Sequence, residues 1–244
     1  MHRAVVLHRW PWQEHGLLLD VFSEQHGRFR AIAKYARSRR SNLRAALEPF
    51  TVIDIELSGR GEVKTLKRAD VQATYSLQRV RLYSALYINE LLQRLLPEHT
   101  EMPGLFADYL ASLELLASDT LLEPILRQFE YRLLCHLDLG FSFTHDAEQG
   151  NVILHAQAYR FQAGSHEQNG GFVPSNSATS QGANTLIIDG AEIARLAAFD
   201  LENPQVLQQF KRLMRIAYTP LLGSKPLRSR ELLLASLGAS QRAE

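Results

Sequence analysis

Seven basic side chains and no acidic one fall between Arg28 and Arg44: Arg28, Arg30, Lys34, Arg37, Arg39, Arg40 and Arg44. Like charges at that density repel one another and destabilise a compact chain unless a partner neutralises them. The chemistry on offer is charge-assisted hydrogen bonding to a polyanion, phosphate above all. A solvated strand face running into a surface loop is the plain alternative. The stretch GRFRAIAKYARSRRSNLRAAL, Gly27 to Leu47, opens with period-2 alternation. That spacing puts Arg28, Arg30 and Lys34 on one side of a strand and Phe29, Ala31, Ala33 and Tyr35 on the other, the side expected to be core. From Ala36 to Arg44 the apolar periodicity stops, and the reading is a cationic connection.

Little else in the chain could do chemistry. There is no glycine-rich phosphate loop and no dinucleotide fingerprint, and Gly59-Arg60-Gly61 reads as a hairpin turn. His145, Asp146, His155 and His166 have neither a cysteine nearby nor helical i, i+4 spacing, so satisfied or exposed side chains are expected rather than metal ligands. The single Cys135 excludes an intrachain disulfide and a cysteine-based zinc cluster. The acidic residues of the middle region are scattered as on solvated helix faces, without the paired carboxylates of a two-metal nuclease. The expectation is a protein with no catalytic residues, no cofactor and no metal.

The elements that must position the basic stretch follow from periodicity. Residues 1–78 read as five short strands: Ala4–His8, Leu17–Phe22, the basic strand after Gly27, Phe50–Leu57 and Glu62–Thr74. Five strands in such a length suit a small barrel, and a cationic face makes the OB-fold the leading candidate. Residues 79–141 switch to helical spacing. Leu82, Leu86, Leu91, Leu92, Leu95 and Leu96 form a stripe that stops at Pro97, and Leu105, Tyr109, Leu110, Leu113 and Leu116 form a second. A third helix begins near Pro124, carries Ile125, Leu126, Phe129, Leu133, Leu134 and Leu137, and is expected to stop at Gly140. Residues 142–244 form a mixed C-terminal region. Within it Asn151–Phe161 is a candidate strand pair, and Gly164–Asn184 reads as a long polar loop. Asp189 is a helix cap, Asn203-Pro204 starts a further helix, and Lys211, Arg212 and Arg215 lie off its apolar face. Lys225, Arg228 and Arg230 follow. The fold class is thus α+β, with a barrel, a central helical bundle and a mixed terminal region.

Charge divides the chain the same way. Residues 1–80 hold 14 Lys/Arg against 8 Asp/Glu, residues 81–150 hold 4 against 11, and residues 151–244 hold 9 against 7. A basic front, an acidic middle and a mildly basic end imply different partners. No apolar run reaches the roughly 18–20 residues of a membrane span, and the start lacks a cleavage-site pattern, so a cytoplasmic location is expected.

Several segments at matching spacing then resemble one family along nearly the whole length. They are AVVLHRWPWQEHGLLLDVFSEQHGR, AKYARSRRS, GRGEVKTL, LYSALYINELLQRLL, LRQFEYRLLCHLDLGF and LLGSKPLRSREL. Together they resemble the bacterial RecO family of DNA repair proteins, of the gammaproteobacterial type. The resemblance implies an N-terminal OB domain, a helical bundle and a mixed C-terminal region. Some members carry a four-cysteine zinc site, whose cysteines are absent here. It further implies a non-enzymatic recombination mediator, nucleoid-associated, that binds single- and double-stranded DNA and anneals complementary strands. Such a protein works with RecR to load RecA on strands coated by the single-stranded-DNA-binding protein SSB, and it binds the acidic, hydrophobic SSB tail.

The residues expected to contact DNA are the seven of the basic stretch, with Lys64, Lys67 and Arg68 from the last strand and, as a second path, Lys211, Arg212, Arg215, Lys225, Arg228 and Arg230. The last six could instead only complement helix ends. For the SSB tail, Arg127 beside Tyr109, Leu113 and Phe129 would supply a cation next to an apolar pocket; otherwise Arg127 pairs with Glu123 or Glu130 on its own helix. Two other classes remain open on the residues alone. One is an RNA-binding or ribosome-associated OB-fold protein, and the other is an adaptor whose basic strand docks an acidic protein.

Overall fold

The computed structural model describes residues 2–39, 41–165, 168–175 and 185–240, without the side chains of residues 237–240. In chain order the elements are β1 (His2–Trp12), β2 (Gly16–Ser23), β3 (Gly27–Ala33), α1 (Leu43–Ala46), β4 (Thr51–Ser58), β5 (Lys64–Thr74), α2 (Arg79–Leu95), α3 (Pro103–Ala117) and α4 (Leu122–His136). They continue with β6 (Ala158–Gln162), β7 (Gly171–Pro174), β8 (Leu186–Asp189), α5 (Gly190–Ala197), α6 (Pro204–Leu222) and α7 (Arg228–Ser240). Contacts divide the chain into two units, Met1–Thr120 with Pro226–Glu244, and Leu121–Lys225. Of the three central helices, α2 and α3 fall with the barrel and α4 with the second unit.

The five strands expected in residues 1–78 close into a barrel of order β1-β2-β3-β5-β4, with β4 returning to β1. The β3–β5 edge is parallel, Ala31 opposite Lys64, and the rest is antiparallel. This is the five-stranded Greek-key arrangement of an OB barrel. Alternation supplies its core: Leu17, Leu19 and Val21, then Phe29, Ala31 and Ala33, then Ile53 and Ile55 point inward, and Ala46 and Leu47 close the side at α1. At the turn before β3, Gly27 has φ +60, and a Cβ there would lie 1.8 Å from the Thr100 carbonyl oxygen, so only glycine fits.

The outward face of β2 is also covered. Phe22 meets Phe106 and Tyr109 of α3 at ring distances of 5.3 and 6.3 Å. A polar bridge crosses this layer: the Asn89 amide donates to the Leu7 carbonyl at 3.2 Å, and the Tyr109 hydroxyl donates to Asn89 at 2.8 Å. The buried stripe of α2 accordingly includes Ser84 and Asn89, while Leu82 and Leu86 are only partly covered. Helix α7 docks on α2 through Glu90, whose carboxylate accepts the Arg228 and Ser229 amides at 3.0 and 2.9 Å and so caps the start of α7.

The second unit is built on aromatic side chains. Tyr131 of α4, Phe141, Phe143, Phe161 of β6, Phe172 of β7, Phe199 and Phe210 of α6 form one cluster, with neighbouring rings 4.8 to 6.2 Å apart. Strands β7-β6-β8 make a small antiparallel sheet. This corrects two expectations. The Asn151–Phe161 stretch contributes only β6, and Gly164–Asn184 is not wholly loop: Gly171–Pro174 pairs with β6 because Phe172 is drawn into the aromatic core at 0% exposure. The end of α4 differs as well. Asp138, at φ 58, makes the left-handed turn, with the Leu139 amide donating to Leu134 at 2.9 Å and the Asp138 amide to Cys135 at 3.2 Å. Gly140 lies past that turn, where a Cβ would come within 3.0 Å of Cys135 Sγ. The caps of α5 and α6 are where the sequence put them: Asp189 accepts the Glu192 amide at 2.7 Å, and Asn203 accepts the Gln205 amide at 3.0 Å ahead of Pro204.

Candidate nucleic-acid interface

The basic stretch divides into a structural part and an exposed part. Arg28 belongs to the first. Its guanidinium grips Asp20 of β2 through Nε at 2.9 Å and Nη2 at 2.9 Å, and Nη1 donates to the Leu96 carbonyl at 3.1 Å. Asp20 is fully buried and also accepts from Gln93 at 2.9 Å. Arg28 is therefore a strut between the barrel and the end of α2, and not a free phosphate ligand, because its charge is already matched in a place with little water. Arg30, one step further along the same face, is exposed and lies 3.6 Å from Glu98. The strand face thus carries far less open charge than its sequence implies.

The exposed part begins where β3 ends. Ala36 is buried at 1% exposure and fixes the loop, the Arg37 amide donates to the His15 carbonyl of the β1–β2 turn at 2.9 Å, and the Ser38 amide donates to Tyr35 at 3.0 Å. Short α1 then returns the chain to the barrel. Anchored this way, the segment lifts Lys34, Arg37, Arg39 and Arg44 into solvent, and none of the four forms an ion pair among the described residues. Arg40 lies outside the described residues. Tyr35 was expected in the core; it is instead 68% exposed, because β3 stops at Ala33 and the backbone turns at Tyr35 with φ 59. Phe29 is buried as expected.

From β5, Lys67 is exposed, Arg68 is exposed and paired with Asp70 at 2.8 Å, and half-buried Lys64 borders a cleft with His2, His26, His99 and Glu101. Burial lowers the pKa of His26, with His2 adding to the effect. The C-terminal cations are distributed over both units. In the second unit Lys211 pairs with Glu123 at 2.9 Å, Arg212 donates to the Thr185 carbonyl at 3.2 Å, and Arg215 and Lys225 are exposed. Arg228 and Arg230 are exposed and belong to the barrel unit.

The four residues expected around an SSB tail also fall in both units. Tyr109 and Leu113 are fully buried in the first, and Phe129 is buried in the second. Arg127 is held by Glu130 at 2.7 Å, the helical pairing that the spacing allowed, and its Nε has no hydrogen-bond partner among the described residues. Among the described residues no group of three His, Cys, Asp or Glu side chains could hold a metal. Asp146 instead organises a loop by accepting the Gln149, Glu148 and Asn151 amides at 2.7, 2.9 and 2.9 Å, and those bonds hold its carboxyl below the usual carboxylate range. His166 lies outside the described residues. No described helix is long and apolar enough to cross a membrane.

An OB-like barrel with a pinned cationic loop is geometry suited to nucleic-acid backbones. The chain matches the family descriptions "Recombination protein O N terminal" over residues 1–75 and "Recombination protein O C terminal" over residues 76–231. It is similar to the DNA repair protein RecO of Salmonella paratyphi B, Salmonella typhimurium and Salmonella typhi, each 44% identical over 237 residues that span 94% of this chain and 92% of the relative. The chain belongs to the RecO family of DNA repair and recombination proteins.

Proposed function

We propose that the protein is a non-enzymatic recombination mediator that binds single- and double-stranded DNA through the backbone and anneals complementary strands. With RecR, it would help load RecA on SSB-coated DNA. The observation that carries the reading is the group Lys34, Arg37, Arg39 and Arg44, exposed and without ion pairs among the described residues, on a loop fixed to the barrel. Uncompensated cations of this kind gain most from displacing condensed counterions, and they do so without reading sequence, as a protein acting at any gap requires. Lys64 and Lys67 extend this path, with Arg30 and Arg68 after exchange of their carboxylate partners. Residues 1–78 then act as the DNA-binding domain. Lys211, Arg212, Arg215 and Lys225, and separately Arg228 and Arg230, are second contacts. RecR, RecA and the SSB tail enter the reading through the family; for the tail, Arg127 would exchange Glu130 for a tail carboxylate.

Annealing of complementary oligonucleotides, bare and SSB-coated, tests this. The wild type should accelerate both reactions, and Arg37→Ala/Arg39→Ala/Arg40→Ala should lose most of the effect. A wild type that fails to anneal, or that prefers RNA of the same sequence, would overturn it.

A further inference from the structure

We propose that Tyr35 is a nucleobase-stacking platform, the one place on the barrel where the protein holds a base and not only phosphates. The inference rests on the DNA-binding reading above and adds the ligand's second chemical feature. Among the described residues Tyr35 is the only Phe, Tyr or Trp side chain that is exposed, at 68%. Every other aromatic is at least partly covered, as expected for rings whose burial stabilises a fold. Its backbone adopts φ 59, a region that a bulky residue enters only against strain. The exposure of the ring does not help the barrel fold, since Ala36 next to it supplies the anchor.

The placement is what a single strand needs. Tyr35 is flanked by exposed Lys34 and Arg37, and the Arg37 amide holds the loop to the β1–β2 turn at His15. OB barrels bind oligonucleotides along that edge, over strands 2 and 3 and the loop joining strands 1 and 2. Cations on either side of a ring let two successive phosphates be held while the base between them lies on its face. Stacking of this kind is tolerant of sequence, because every base has a π-face. Paired bases are already stacked, so the ring distinguishes single strands from duplex.

The test is equilibrium binding of a fluorescent single-stranded oligonucleotide, an abasic strand of the same length, and a duplex, to wild type, Tyr35→Ala and Tyr35→Phe. Tyr35→Ala should weaken the normal single strand about 5- to 100-fold, leave the abasic strand and the duplex unchanged, and keep the salt slope of the wild type. Tyr35→Phe should bind like wild type. Equal affinity of wild type and Tyr35→Ala for the normal strand, or an equal loss on the abasic strand, would overturn the stacking role while leaving DNA binding intact. A wild type that binds none of the three would overturn both.

Discussion

The barrel and the second unit hold together by different means. In the barrel the core is made of residues two apart on β2, β3 and β4, aliphatic apart from Phe29, and on β3 the positions between them carry Arg28 and Arg30. In the second unit the core is a set of seven aromatic rings that come from α4, the segment after it, two strands, the α5–α6 connection and α6 itself. Local alternation leaves one face of a strand available for a ligand. A cluster assembled from distant residues does not, and each member is committed to packing. The cations follow suit: in the barrel loop they are open, whereas in the second unit Lys211 and Arg127 each have a carboxylate partner on α4.

The largest effect should come from breaking the aromatic cluster. Phe172→Ala empties a fully buried position and should cost about 3–5 kcal/mol in chemical denaturation. Oligonucleotide binding should survive in the fraction that remains folded. Loss of DNA binding with the barrel's own unfolding transition unchanged would mean that the second unit carries the interface. Asp20→Ala comes next. It leaves the largely buried Arg28 guanidinium without its carboxylate, for roughly 3–5 kcal/mol of destabilisation, moderated by the Leu96 carbonyl that Arg28 keeps. Stability, and not the salt slope of DNA binding, should record the change; the reverse would return Arg28 to the phosphate ligands.

A smaller effect is expected at Asp146. Three amides depend on its carboxylate, so Asp146→Ala should cost about 1–3 kcal/mol. Because those bonds depress the folded pKa, the stabilisation is fully present above the ordinary aspartate value of about 3.9 and disappears as pH falls through the lower folded value. Wild-type and Asp146→Ala midpoints should therefore converge in acid. Curves that stay parallel to the lowest pH would remove the carboxylate from that role.

How much could be read in advance follows the same contrast. Alternation around Phe29, Ala31, Ile53 and Ile55 announced the barrel, and Asp189 and Asn203 announced two helix starts, because each signal lies within a few residues of its consequence. Strand β7 was hidden: four residues, GFVP, in polar surroundings pair only because Phe172 finds rings far away in sequence. Within the basic stretch, spacing tells which residues share a side but not where the strand stops, so alternation alone places Tyr35 on the core side. Nor did spacing show that Arg28 meets Asp20, which lies opposite Arg30 in the strand register and is reached diagonally.

The smallest change in stability accompanies the most direct test of function. Single-strand affinity would be measured across a salt series for wild type and for Lys34→Ala/Arg37→Ala/Arg39→Ala, three exposed positions without ion pairs among the described residues. Each phosphate contact contributes about −0.7 to the slope of log affinity against log salt, so the triple variant should be shallower by about 2. Parallel lines would show that these cations touch no phosphate, and the loop would then be no more than a charged surface.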